Sequence, residues 1–571
     1  MSIIFRPNGT LDVATDPSEL PEAKGSILTG DQGAIVSEAL ARCKNLRLDQ
    51  KGVVKMRLGT DKINATAVTS SINRIIEQGG VRYSFSGAQI YADEVSIASG
   101  LTNAAYSAIL YNAFNSTTQN VFALNGTDRK RIESGSVKEW GITAPAVAPT
   151  LAAGALTGLT GAYNAKYTYC RKSGSTVICE SDPSPAGAAA VTLANGSLSV
   201  TWTASGDSQV THVRVYRTLL NGSTYYHDQD IAIGTVTIDT NTADGSLGSE
   251  VATDHDRPPL GSVVVGPNYN GTCFIAKDNL LYFCLPKQPE YWPLTYFIEV
   301  SAPQFPIKAV VFLNGAPYCL TTHEIYNIQG TGQETFFPYP MNAITGTQGP
   351  QGAFPVHGKG IFHRGSDGVY LFNGSEDRKI TQPEFDPIFR GEAAGGLPAA
   401  TMPENDWLIQ FGNKLYAGYV SIGHTYPTNV LVVNLDTGRT TYHAYSMEIR
   451  TVAVDETNNR LLAGDKDGYV WILETGTDDN GTAIDWEIQS KNYELQTRAH
   501  FPRWSKYDVD ASGSTEAIGK FILDEVVHQE HTLTGLNRNT RKRLIETGNG
   551  KRAAIRITGS GPVSIYMVES E

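Results

Sequence analysis

Apolar and polar residues alternate in short runs along most of this chain, and the runs come in facing pairs. The clearest pairs are CFIAKDNLLYFC (273–284), APYCLTTHEIYNI (316–328), GIFHRGSDGVYLF (360–372), LYAGYVSIGHTYPTNVLVV (415–433) and RLLAGDKDGYVWIL (460–473). Each reads as strand, turn, strand. Their turns centre near residues 278, 322, 367, 426 and 467, so the unit recurs at intervals of 44, 45, 59 and 41 residues. The one long interval is predicted to hold an extended loop at TYPTN. Further strands flank each pair: AFPVH and RKITQ around the third, RTVAV and AIDWEIQ around the fifth. Four strands in a period of roughly 40–50 residues is the repeat of a β-propeller. Inner runs such as LLYFCL and NVLVVNL are almost wholly apolar, as expected of strands packed on both faces. Radial repetition of this kind leaves few open edges.

The pattern divides the chain. Residues 1–64 form an N-terminal β segment ending in a hairpin. Residues 65–143 supply one or two blades, with VRYSFSGAQIYADEV and NVFALNGTDRKRIES as hairpins, and residues 259–495 supply the rest, for six or seven in all. Residues 144–258 are an insertion. It opens on a Pro/Ala-rich linker, ITAPAVAPTLAAG (142–154), and closes on HDRPPLGS (255–262). Its short strands (AYNAKYTYC, STVICESD, LSVTWTA, THVRVYRTLL, STYYHDQD, VTIDT) predict an immunoglobulin or fibronectin III-like sandwich with Trp202, Val213 and Val215 in the core. Residues 496–571 are a C-terminal β region with strands at IGKFILDEVV, AAIRITGSG and VSIYMVES. The best helix candidate is short, TSSINRIIEQ at 69–78. The predicted class is all-β.

Composition narrows the function. The 571 residues are 41 % hydrophobic and 9 % aromatic, enough for a real core, and 56 Gly with 27 Pro supply the turns. A net charge of −12 excludes a sequence-independent nucleic-acid binder, although an acidic wall suits a passage along which DNA must slide. The N-terminus has no basic start followed by an apolar core, so no signal peptide is expected, and no apolar stretch is long enough to insert in a membrane. The six cysteines contain no CxxC, which argues against zinc. A turn at Gly174-Ser175 would set Cys170 opposite Cys179, and one at Asp278-Asn279 would set Cys273 opposite Cys284. Cross-strand disulfides fit such positions, but buried reduced thiols are the expectation in a cytosolic chain.

No motif for chemistry holds up. Ser366-Asp367-Gly368 lacks the spacers and Trp of a sialidase aspartate box. Asp465-Lys466-Asp467-Gly468 and Asp478-Asp479-Asn480-Gly481 offer too few ligands for a calcium loop. The match of Lys466–Ile472 to Ser366–Phe372, two periods apart, makes both Asp-Gly steps hairpin turns in which Gly takes φ > 0. HEIYN at 323–327 ends in Asn where a zinc protease needs His, and lies in a hairpin. GSTEAIGKF at 513–521 has five residues between its glycines where a phosphate loop has four. A basic cluster (Arg538, Arg541, Lys542, Arg543, Lys551, Arg552, Arg556) lacks interleaved aromatics for bases and reads as a solvated face or protein interface. No catalytic, cofactor-binding or metal-ligating set emerges, and no cofactor is expected.

Several stretches together resemble the tail nozzle (tail hub, tail tubular or stabilisation) proteins of short-tailed bacteriophages. They are NLRLDQKGVVKMRLGT (45–60), whose hairpin ends on Arg-x-Gly; FIAKDNLLYFCLPKQPEYW (274–292), with a Gln-Pro and aromatic turn; GPQGAFPVHGKGIFHRGSDGVYLFNG (349–374); and GDKDGYVWILETGTDDNGTAIDWE (464–487). The insertion is similar to fibronectin-like inserts of phage tail proteins. The resemblance implies a virion structural protein, not an enzyme. It would be a propeller-bearing subunit of a homohexameric ring below the portal and adaptor, assembled in the host cytoplasm. Its neighbours would be the head-to-tail connector and tail fibre, tailspike or needle proteins, and its lumen would hold and eject double-stranded DNA. The chief rival is a secreted or surface propeller that binds or hydrolyses carbohydrate. An intracellular WD-repeat scaffold would show GH…WD signatures, which are absent.

Overall fold

Turn chemistry sets the hairpins. Gly79 and Gly80 both take positive φ, at 59° and 88°, and the strands they join pair with Gln78 opposite Val81. A computed structural model describes residues 3–6, 10–13, 25–26, 39–50, 53–112, 114, 116–381, 385–490, 492–494, 504–511, 517–533, 540–543 and 552–570. These residues are nearly all β, and the α-helix among them is the single turn Asp386–Phe389. They fall into two compact units, Met1–Val95 with Leu320–Ile325 and Met341–Glu571, and Ser96–Cys319 with Tyr326–Pro340.

Seven four-stranded antiparallel sets follow one another along the chain. The first is Ile72–Gln78, Val81–Ser86, Gln89–Ala92 and Val95–Ala98; the second Ser107–Asn112, Gln119–Leu124, Arg129–Glu133 and Ser136–Glu139. The third is Val264–Val265, Phe274–Lys277, Leu280–Phe283 and Phe297–Glu299; the fourth Ala309–Leu313, Ala316–Leu320, Ile325–Gln329 and Phe337–Pro340. The fifth is Ala353–Val356, Gly360–Arg364, Val369–Phe372 and Asp377–Lys379; the sixth is Trp407–Phe411, Lys414–Ser421, Asn429–Asn434 and Thr440–Ala444, four neighbouring strands of a twelve-stranded sheet that continues through Ala39–Lys44 into Asp485–Ser490. The seventh is Ile449–Asp455, Arg460–Asp465, Val470–Thr475 and, far back in sequence, Gly59–Lys62. All five expected hairpins are present, and residues 65–143 supply the two further sets.

Within the first unit neighbouring sets share cores. Leu371 and Val369 pack with Leu415 and Tyr419, Trp407 and Val430 with Leu461 and Trp471, and Ile72 and Ile75 with Leu462 and Val470. Within the second unit Phe122 and Trp140 pack with Ile275 and Trp292, and Phe274 with Ile328 and Phe336. The second unit also holds the insertion: Thr150–Tyr163, Val191–Thr201 and Thr237–Thr240 in one sheet, and Thr176–Glu180, Ala165–Ser173, His212–Thr218 and Tyr225–Ala232 in another. Both sheets feed one buried cluster containing Trp202, Val213 and Val215, the residues expected there. In the first unit the strand Ala39–Lys44 pairs with Asp485–Ser490, which pairs in turn with Arg552–Ser560, and these strands share a core around Trp486 and Phe521.

Four local expectations are overturned. Residues 72–78 are a strand, not a helix: the Gly-Gly turn and the apolar face of the seventh set claim Ile72 and Ile75, both almost fully buried. The linker ends early, because a fourteen-residue strand begins at Thr150. AIDWEIQ does not complete the seventh set; Asp485–Ser490 belongs to the sheet of the chain ends, and Gly59–Lys62 takes its place. Cys170 faces Glu180, not Cys179, because the pairing slips between Arg171 and Lys172 (Arg171 opposite Cys179, Lys172 opposite Val177). At the other pair the expected register holds: Phe274 faces Phe283, and the Cys284 N–H donates to the Cys273 carbonyl at 3.1 Å. All six thiols are buried and free.

The two Asp-Gly turns also differ. Gly468 has φ of 90°, as expected, but Gly368 lies outside the positive range, so the expected strain at Gly368 does not arise. A Cβ on Gly468 would also lie 2.7 Å and 2.9 Å from the carbonyl oxygens of Val68 and Ser70, whereas one on Gly368 would meet the side chains of Thr381 and Lys379. Gly468→Ala is therefore expected to destabilise by about 1–3 kcal/mol, and Gly368→Ala by less, about 1 kcal/mol. Urea unfolding of the two variants checks the order.

Candidate functional site

The carboxylates that the sequence offers for chemistry are held by the protein itself. Asp367 accepts from the Tyr370 hydroxyl at 2.6 Å and from Lys379 Nζ at 2.9 Å. Burial alone would raise its pKa, but these donors outweigh it and hold the group below the ordinary carboxylate range. Asp465 Oδ1 accepts the backbone N–H groups of Asp467 and Tyr469, and Oδ2 accepts Trp471 Nε1 at 2.7 Å. Asp478 accepts the Gly481 N–H, closing its own turn. His323 and Glu324 lie in a turn where both backbone N–H groups donate to Thr321 Oγ1. Lys520 sits on the strand Ala517–Leu523 and pairs with Glu530 at 2.9 Å; residues 513–516 of the phosphate-loop candidate lie outside the described residues. Of the basic cluster, Arg538 and Lys551 lie outside them too. Arg541, Lys542 and Arg543 are on the strand Thr540–Arg543, and Arg556 donates to Gln489 Oε1 at 2.7 Å. Among the described residues no three His, Cys, Asp or Glu side chains gather so as to hold a metal ion.

Two polar knots stand out, and each contains a motif picked out in the sequence. In the first unit Arg57, the Arg of Arg-x-Gly, has a side chain with no solvent exposure. Its Nη1 and Nη2 reach the two oxygens of Asp479 at 3.0 and 2.6 Å, a fork-to-fork pair. Nε donates to Asn45 Oδ1, the Leu58 and Ala444 carbonyls accept from Nη1 and Nη2, and the guanidinium lies 4.5 Å above the Tyr445 ring. Gly59 completes the joint, because a Cβ there would overlap the Asp478 carbonyl. The strand Gly59–Lys62 begins at this point and pairs with Val470–Thr475. In the sequence Asp479 stands only within an incomplete calcium-loop pattern; its partner lies 422 residues away, beyond any local signal.

In the second unit the Gln-Pro turn is the other knot. Trp140 Nε1 and Trp292 Nε1 both donate to the Pro289 carbonyl, at 2.6 and 2.8 Å. Glu290, almost fully buried, pairs with Arg171 of the insertion and lies 3.8 Å from Arg131 of the second set. Gln209 of the insertion donates to the Gly141 carbonyl at 3.0 Å. The insertion is thus fastened to the second set and to residues 289–292 by buried, charge-assisted contacts.

His443 lies beside the first knot, almost fully buried, with Nδ1 3.6 Å from Glu474 Oε1. Burial first, then the charges of Arg57 and Lys414, hold its pKa well below 6.5. The unfolded chain therefore takes up this proton first as pH falls, and stability is lost below about pH 6.5.

No protein-family model matches the chain, and no curated protein matches it. Among solved structures it is similar to the computationally designed Ika8 protein, with 10 % identity over 73 % of this chain and 100 % of that one, at a TM-score of 0.33. A likeness at that score carries no argument.

Two outcomes follow from the first knot. Arg57→Ala, leaving Asp479 without its partner, is expected to cost about 3–5 kcal/mol, and Arg57→Lys to restore little, since an ammonium cannot make the fork; thermal unfolding and limited proteolysis report both. For His443→Gln, urea unfolding at pH 7, 6 and 5 should show the variant gaining on the wild type as pH falls.

Proposed function

We propose that this chain is a structural virion protein, a seven-bladed β-propeller with an immunoglobulin- or fibronectin-type sandwich inserted between its second and third blades. It serves as the subunit of a tail nozzle. Six copies form a ring below the portal and adaptor, and the lumen holds the double-stranded genome until ejection. Tail fibre, tailspike or needle proteins are its outer neighbours.

The observation that carries this reading is the place of Arg57. The Arg-x-Gly step, in the first of the stretches that resemble tail nozzle proteins, is the residue pair that fastens the strand Gly59–Lys62 into the last four-stranded set. A motif kept for architecture suits a part whose task is to be rigid. The Gln-Pro turn, a second element of the resemblance, is likewise spent on fastening. The seven successive sets support a propeller, in which a strand from ahead of the first set completing the last is a way to close a ring of blades. Self-association by one repeated head-to-tail contact gives a ring without open ends where the rotation between neighbours closes, and an open filament where it does not. A net charge of −12 suits a wall along which DNA moves without being held.

Negative-stain microscopy of the purified protein, alone and mixed with the adaptor of the same virion, tests this. Six-fold rings about a central hole are expected, and so is density for this chain at the tail vertex. A protein that stays monomeric with the adaptor present and cleaves glycans would instead establish the carbohydrate-active rival.

A further inference from the structure

One cleft in the second unit has a charge balance that its own side chains do not settle. Its volume is about 600 Å3, and it lies where Arg257, on the segment returning from the insertion, meets the last two strands of the second set and residues 206–208. Lys130, Lys138 and Arg257 line it. Glu139 serves two of these cations at once: Oε1 takes Lys130, and Oε2 takes Arg257 Nη2 at 2.6 Å. Lys138 has a neutral partner, Ser208 Oγ at 3.2 Å. The other carboxylate in the wall, Asp207, bonds only neutral groups of Gln209, accepting its backbone N–H at 3.1 Å and its Nε2 at 2.9 Å, and so adds a second negative charge that is not paired with any of these cations. Behind Arg257 stands Arg129, whose Nη1 donates to the Pro258 carbonyl. Its pKa is pushed down to about 10, by burial first and by the charge of Arg257 second.

Four cations thus stand around two carboxylates, Glu139 and Asp207, in a chain whose net charge is −12. Like charges crowded into a partly desolvated wall raise the energy of the empty site, and an anion lowers it. The volume lies in the range of small-ligand sites, roughly 300–1,000 Å3, and is too small for a duplex. The rest of the wall mixes hydroxyls with short apolar side chains: Ser99, Thr143 and Ser208 with Leu101 and Val137. Such a surface suits a ring that carries both hydroxyls and C–H faces.

We propose that this cleft binds a saccharide bearing an oxyanion, a phosphate or a carboxylate, with the charge against Lys138 and Arg257 and the ring hydroxyls toward Ser208 and Thr143. The site does not depend on the nozzle reading, since it lies wholly within one unit of one chain.

The test is calorimetric titration of the full chain with glucose 6-phosphate, glucuronic acid, glucose and inorganic phosphate, and with a short DNA duplex as competitor. One or both charged sugars should bind more tightly than glucose and than phosphate; which of them wins identifies the oxyanion. Lys138→Glu, which gives up an exposed hydrogen bond to Ser208, should weaken that binding by about tenfold or more with an unchanged unfolding temperature. Ser208→Glu should do the same by placing an anion in the cleft. Equal affinity for glucose, equal affinity for phosphate alone, displacement by the duplex, or full affinity in both folded variants would each overturn the proposal, as would no binding of either charged sugar at millimolar concentration.

Discussion

A buried ion pair between residues 57 and 479 is the constraint on which the first unit depends. Two charges removed from water gain little unless every remaining donor and acceptor is met. Here they are: Asn45, the Leu58 and Ala444 carbonyls and the Tyr445 ring satisfy the guanidinium that Asp479 neutralises. The pair is therefore selective. A strand entering in another register would leave a charge buried without its partner, and Gly59 enforces the same register sterically, since only a residue without Cβ passes the Asp478 carbonyl.

The second unit solves a similar problem with different groups. An inserted domain joined by two linkers is free to swing unless its base is tied. Arg171 and Gln209 reach from the insertion into a site already occupied by Arg131 and Glu290, and two tryptophans share the Pro289 carbonyl beneath it. Long-range polar contacts thus fasten the insertion together with apolar packing, since Ile142 and Tyr291 join its buried cluster.

The local repeat was legible in the sequence because a hairpin carries its own period and its own turn residues. All five pairs, the two further sets and the core positions Trp202, Val213 and Val215 could be read that way. What could not be read is non-local or irregular. Ile72, Ile75 and Ile76 have helical spacing, and only the partners brought by the seventh set make a strand the better solution. The slip between Arg171 and Lys172 moves Cys170 away from Cys179, whereas the two-residue turn at Asp278-Asn279 leaves Cys273 and Cys284 opposed. The same two residues, Asp-Gly, fold into two different turns at 368 and 468, since Asp367 bonds forward to Tyr370 and Asp465 caps the other loop from its base. As for the candidate site, Arg57 and Pro289 stood within quoted motifs, but their roles depend on Asp479 and on Trp140, which no spacing rule connects to them.

The Gly59–Lys62 strand also fixes an order of events. During synthesis it emerges early and has no place to go until Val470–Thr475 has left the ribosome. At roughly 5–20 residues per second, the 422 residues between Arg57 and Asp479 take on the order of twenty to eighty seconds to make. Throughout that interval its backbone donors and acceptors lack their final partner, and the loop that must close is among the longest the chain permits, the kind of contact that slows folding most. Among the seven sets the seventh is thus the last to be completed.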